Sequence, residues 1–206
     1  MKIGIITIWQ INNYGAELQA FALQRKLNDM GFDCENIDYP FYKNPDHSQC
    51  RLSRPVFDLG WKNSLKEKLF PLKQRFLALV HLEEERERQS KFREFHRNHT
   101  KHSASRYRSM SALYEATLGY DVFMVGSDQV WNPRCGTSLQ PYFLTFAPQG
   151  ARKISYASSF GVSELPPETI SQYAKWLNGF DCISVREKTA VALVERITGR
   201  KAMHAL

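Results

Sequence analysis

Residues 2–8 form a nearly unbroken run of Ile and Thr, the pattern of a parallel strand buried on both faces. A polar loop through Gln10, Asn12 and Asn13 ends it. Over residues 14–30 the apolar Leu18, Phe21, Ala22 and Leu27 recur at helical spacing, which predicts a helix with that face inward and Gly31 as its C-cap. CENIDY then reads as a second strand, completing a β-α-β unit. Residues 40–110 break the rhythm: Pro45, Pro55 and Pro71 punctuate a charged stretch at roughly helical spacing, which predicts a helical insertion serving as a lid or acceptor-binding arm. Alternation resumes with a short helix over residues 111–118, the strand YDVFMVG, a Pro- and Gly-rich loop and the strand KISYAS. A helix opened by Pro166 and Pro167, the strand CISVR, a helix closing on Gly199 and a last short strand follow. This order predicts an α/β fold, a doubly wound and mostly parallel sheet with helices on both faces.

Composition adds bounds. With 206 residues, 43% hydrophobic and 24% charged, the chain can bury one sizeable core. The formal net charge of +7 suits a polyanionic partner. Much of that excess falls within residues 62–108, however, interleaved with Glu83, Glu84, Glu85 and Glu87, which would repel phosphates. These read as solvated helix faces, and no nucleic-acid partner is expected. Cys34, Cys50, Cys135 and Cys182 are isolated, with no CxxC spacing, so no metal site is expected from them and they read as free thiols. No signal-peptide pattern or long apolar stretch is present, and the expected location is the cytoplasm.

In an open parallel sheet, ligands gather at the carboxyl ends of the strands, and the residues after each predicted strand are unusually polar. After the first comes NNYGAELQAFAL, where Gly15 stands at a helix start whose N–H groups would face an anion. A plain turn and N-cap at Asn13 is the alternative. Neither GxGxxG nor a Walker A loop is present, which disfavours dinucleotide and ATP binding. In GSDQVWNP, Ser127 and Asp128 can accept or relay a proton, and Trp131 offers a flat face for a sugar. In SYASSFG, Ser158, Ser159 and Gly161 are candidate pocket residues without a GxSxG elbow. In ISVREKTA, Arg186 can fork a phosphate or carboxylate, although an Arg186–Glu187 structural pair fits equally well.

Taken in order, NNYGAELQAFAL, GSDQVWNP, KISYASSFG and ISVRE resemble the polysaccharide pyruvyl transferases across the chain outside residues 40–110. The resemblance implies a Rossmann-like lobe of a two-lobed, GT-B-like architecture. Residues 1–206 would be the N-terminal lobe, and nothing in them matches the second, which is expected to add a histidine and further cations; His204 is not a credible replacement. It also implies transfer of pyruvate from phosphoenolpyruvate to two hydroxyls of a sugar or lipid-linked saccharide, in exopolysaccharide or cell-envelope assembly, without a metal or other cofactor. By the same resemblance Arg186 contacts the anionic donor and Asp128 contacts or deprotonates a sugar hydroxyl. Asn13, Tyr14 and Gly15 would line the cleft floor, Gln129, Trp131 and Asn132 the acceptor side, with Ser127 and Ser158 beside them.

Two other readings stay open: an incomplete, inactive sugar-binding module, and a lobe of a nucleotide-sugar glycosyltransferase, which shares the fold. The basic charge would suit peripheral membrane association, and an uncovered lobe face would suit a homo-oligomer or a partner supplying the other lobe.

Overall fold

The computed structural model describes residues 1–40, 82–134 and 139–205. Strand β1 (Lys2–Ile6) takes a central place because it is apolar on both faces. Ile3 and Ile5 pack with Leu23, Cys34, Val122 and Met124 on one side, while Ile6 packs with Ile37, Phe123 and Val125 on the other. Strands β2 (Asp33–Asp38), β3 (His102–Arg106), β4 (Val122–Val125) and β5 (Arg152–Ser155) align with it in the order β3-β2-β1-β4-β5, every pairing parallel. Between β1 and β4 the strand order reverses, creating the crevice where such sheets bind ligands.

Two further strands, β6 (Ser184–Val185) and β7 (Met203–His204), form a parallel pair joined to β5 through single bridges, Ile154 to Cys182 and Ser158 to Val185. Hydroxyls reinforce this seam. Ser155 Oγ donates to the Ser184 carbonyl at 3.0 Å and accepts from the Ser184 N–H at 2.8 Å, while Ser184 Oγ accepts from the Ala157 N–H at 3.2 Å.

Helices cover both faces. Helix α1 (Tyr14–Asp29) lies over the Ile3–Ile5 side, and helix α2 (Leu82–His99) packs on α1, with Phe21 against Phe95 and Tyr14 against Phe92 at centroid distances of 5.4 and 4.9 Å. The short α3 (Met110–Tyr114) and the helices α4 (Ile170–Leu177) and α5 (Lys188–Thr198) bury Leu113, Tyr173, Leu177, Ala190, Leu193 and Val194 in the larger core of the opposite face. Gly31 and Gly199 adopt the left-handed backbone expected after α1 and α5. Among the described residues no helix is long and apolar enough to cross a membrane.

Two expectations are corrected. The inward face of α1 is Ala16, Glu17, Ala20, Leu23 and Gln24, whereas Leu18 is 54% exposed and Ala22 is also exposed. Small residues let the helix approach the sheet, and its two buried polar side chains are bonded: Gln24 accepts from the Lys101 N–H at 2.8 Å, and Glu17 accepts from the Ile11 N–H at 3.1 Å. The charged insertion placed at residues 40–110 is also narrowed. Its residues 41–81 lie outside the described residues, but α2 and β3 are regular members of the sheet's own alternation. β3 escapes notice because HSASR buries only Ser103, as a polar edge strand does.

Candidate functional site

The backbone marks the crevice before any side chain does. Gln10 and Asn12 after β1, Asp128 after β4 and Ala157 after β5 all have positive φ, at 58°, 54°, 108° and 49°. Such conformations are costly away from glycine and tend to persist at working sites. The loops are tied together: Thr7 Oγ1 donates to the Ser127 carbonyl at 2.6 Å, Gln19 Nε2 donates to Thr7 Oγ1 at 3.1 Å, and the Ser159 N–H donates to the Asp128 carbonyl at 2.9 Å.

Four strand ends, β4 to β7, converge on Asp128 and Arg186. Asp128 Oδ1 accepts from the Gln129 N–H at 2.7 Å. Burial raises its pKa above the ordinary carboxylate value, opposed in part by that hydrogen bond and by the Arg186 charge. Arg186 Nε donates to Glu187 Oε1 at 3.2 Å, and the same oxygen accepts from Ser159 Oγ at 2.6 Å. Glu187 Oε2 is buried without a hydrogen-bond partner among the described residues, an orphan acceptor beside the cluster. The Arg186–Glu187 pair and the anion-binding role of Arg186 are therefore compatible, because the ion pair engages one guanidinium nitrogen. His204 Nε2 bonds the Arg186 carbonyl at 2.9 Å, fixing the backbone there.

The residues singled out in sequence divide by exposure. Ser127, Asp128, Gln129, Asn132 and Arg186 are partly or fully accessible around the crevice, and Asn132 Nδ2 donates to Gln129 Oε1 at 2.7 Å. Gly161 closes behind these amides: its φ of +61° strains any other residue, and an added Cβ would lie 2.6 Å from Asn132 Nδ2 and 2.7 Å from Gln129 Oε1, so the amides would have to shift. Ser158 is fully buried and donates to the Gly126 carbonyl at 3.2 Å, which makes it a tie between β4 and β5. Trp131 requires a correction. It is 0% exposed, its ring lies 7° from parallel with Phe143 at 5.2 Å, and Nε1 donates to the Tyr142 carbonyl at 2.8 Å. A ring with both faces packed and its one polar handle bonded offers no platform to a sugar.

Near β1, Asn13 is the N-cap of α1, its side chain accepting from the Ala16 N–H at 3.1 Å. Tyr14 and Gly15 are exposed in the first turn, with the Tyr14 ring against Phe92 of α2. Sequence reasoning passed over Glu17, buried and bonded to His96 Nε2 at 2.6 Å, and over Arg93, Arg97 and Arg106, which face the same end of β1. The signal for Glu17 was a charge on an otherwise apolar and small-residue helix face. Among the described residues no three His, Cys, Asp or Glu side chains gather as a metal centre, and burial pushes the free Cys34 thiol up to about 11.

No similar curated protein and no similar solved structure was found. The family description does match: residues 13–205, which include every loop at the carboxyl ends of β4 to β7, fit the one headed polysaccharide pyruvyl transferase. A match over that share of a parallel α/β lobe, with the four loop motifs gathered at one edge, means that the chain belongs to the polysaccharide pyruvyl transferase family.

Proposed function

We propose that the Asp128–Arg186 cluster serves the transfer of a pyruvyl unit from phosphoenolpyruvate to two hydroxyls of a saccharide acceptor, in the cytoplasmic assembly of cell-surface or exopolysaccharide chains. The observation that carries this reading is a part-buried carboxyl of raised proton affinity, Asp128, held in a rare backbone conformation beside the Arg186 cation. In the reaction the methylene carbon of the donor gains a proton and the two hydroxyl oxygens bond to its central carbon. The bond to the phosphate oxygen breaks, phosphate leaves, and the hydroxyl protons are released. Arg186 suits the donor's carboxylate or phosphate through guanidinium nitrogens that Glu187 does not occupy. Asp128 suits the hydroxyl, because a carboxylate with raised affinity is a better proton acceptor than an ordinary one. Gln129 and Asn132 supply amide groups for the sugar. No cofactor is required by this chemistry.

A thermal-shift titration with phosphoenolpyruvate tests the reading, with inorganic phosphate and a nucleoside diphosphate as controls. A selective rise is expected, with Arg186→Ala weakening the response about tenfold or more through loss of a charge-assisted contact. No selective rise, or an unchanged response in Arg186→Ala, would remove the donor from this cluster.

A further inference from the structure

On the other side of the crevice lies a second cleft of about 450 Å³, walled by the loop after β1, by α2 and by the edge strand β3. Gln10, Asn12, Arg93, His96, Arg97 and Arg106 line it, and among the described residues no carboxylate does. Its basic side chains differ in how they are held. Arg106 donates through Nε to Asp38 Oδ2 at 2.9 Å and through Nη2 to Gln10 Oε1 at 2.6 Å, and His96 is held from behind by Glu17. Arg93 and Arg97 have no ion-pair or hydrogen-bond partner among the described residues.

A helix's last turn favours cations because of its dipole, which accounts for His96, Arg97 and His99. It does not account for Arg93, a turn earlier on the same face, nor for a cleft whose far wall is a preset arginine and whose floor is the positive-φ pair Gln10 and Asn12. We infer that this cleft binds a small ligand through a diphosphate, or through two neighbouring phosphoryl groups. Arg93 and Arg97 stand one helical turn apart, with about 5–6 Å between Cβ atoms, a span across which two linked phosphoryl groups each meet a guanidinium fork. Arg106 faces them already oriented by Asp38 and Gln10, so little ordering cost remains. The exposed Glu83, Glu84 and Glu87 at the start of the same helix oppose a long polyanion but stand apart from the cleft. The site is separate from the Asp128–Arg186 cluster and does not depend on the donor reading.

Calorimetric titration of the full chain with inorganic pyrophosphate tests the inference. Binding is expected, is expected to weaken steeply with added salt, and is expected to fall about tenfold or more in the Arg93→Ala/Arg97→Ala double variant. These side chains are exposed, so the variant folds, as circular dichroism would verify; Arg93→Lys/Arg97→Lys should recover part of the affinity. A nucleoside diphosphate and a short prenyl diphosphate, titrated in parallel, distinguish a nucleotide from a lipid source. Loss of either signal in the double alanine variant supports the site and names its ligand class. Absence of pyrophosphate binding, binding unchanged in the double variant, or displacement of pyrophosphate by phosphoenolpyruvate would overturn it.

Discussion

The two sides of the crevice hold their charges in opposite ways. At the ends of β4 to β6, Asp128, Arg186 and Glu187 are part-buried and bonded to their neighbours, and they rest on a floor of serine hydroxyls and the enclosed Trp131. At the ends of β1 to β3, Arg93 and Arg97 project from a solvated helix with no partner among the described residues, while Arg106 and His96 are tied down. The first arrangement tunes proton affinity through desolvation, whereas the second offers charge that a ligand must complete. Substitutions on the first side should therefore disturb folding and binding together, and substitutions on the second should disturb binding alone.

Trp131→Ala strikes hardest at that contrast. It removes a fully enclosed ring beneath the Asp128 loop, and denaturant unfolding should register a loss of about 3–5 kcal/mol. Ser159→Ala, which strips Glu187 of its hydroxyl donor while Oε2 already lacks one, should cost about 1–3 kcal/mol in the same measurement. Gly161→Ala should fall in the same range, because it forces a methyl into the Gln129 and Asn132 amides at a positive φ. Asp128→Asn should act the other way. The folded chain binds the Asp128 proton more tightly than the unfolded chain, so stability falls as pH rises from the ordinary carboxylate range through the raised value. Asparagine carries no such penalty, and its melting temperature should exceed that of the native chain at neutral pH, with the gap closing in acid below the ordinary carboxylate range. The smallest effect belongs to Arg93→Ala/Arg97→Ala, which should leave unfolding within about 0.5 kcal/mol of the native chain; a larger loss would show that the second side is also a folding element.

The same contrast governs what the sequence made legible. Strands β1 and β4 could be read because burial on two faces demands continuous apolar runs, and the loops that follow them stood out as polar against that background. β3 could not, since an edge strand with one buried serine carries no alternation. The inward face of α1 was misplaced because Ala16 and Ala20 contribute closeness to the sheet, while the bulkier Leu18 and Phe21 turn outward or toward α2. Around the crevice, Asp128 and Arg186 were visible as polar residues at strand ends. Trp131, three residues from Asp128, was visible in the same way, yet its ring serves the core; polarity patterns locate a loop but not the direction in which a large side chain leaves it. Glu17 and the α2 arginines went unread because their meaning depends on which helix packs on which.

The serine hydroxyls between β5 and β6 have a consequence for how the lobe breathes. Backbone hydrogen bonds cross this seam from the Asp181 N–H to the Lys153 carbonyl, from Ser155 to Cys182, from Ser158 to Ser184 and from Arg186 to Ser158, and the Ser155–Ser184 hydroxyl exchange adds to them in holding the β6–β7 edge to the rest of the sheet. That edge carries Arg186 on its strand end, with Glu187 following, so opening the seam would carry the arginine away from Asp128 without unfolding β1 to β5. Amide protons of Ser155, Ala157 and Ser184 report on that opening: exchange with deuterium sooner than in β1 would show the edge parting from the sheet on its own, and equal exchange would show the two opening together.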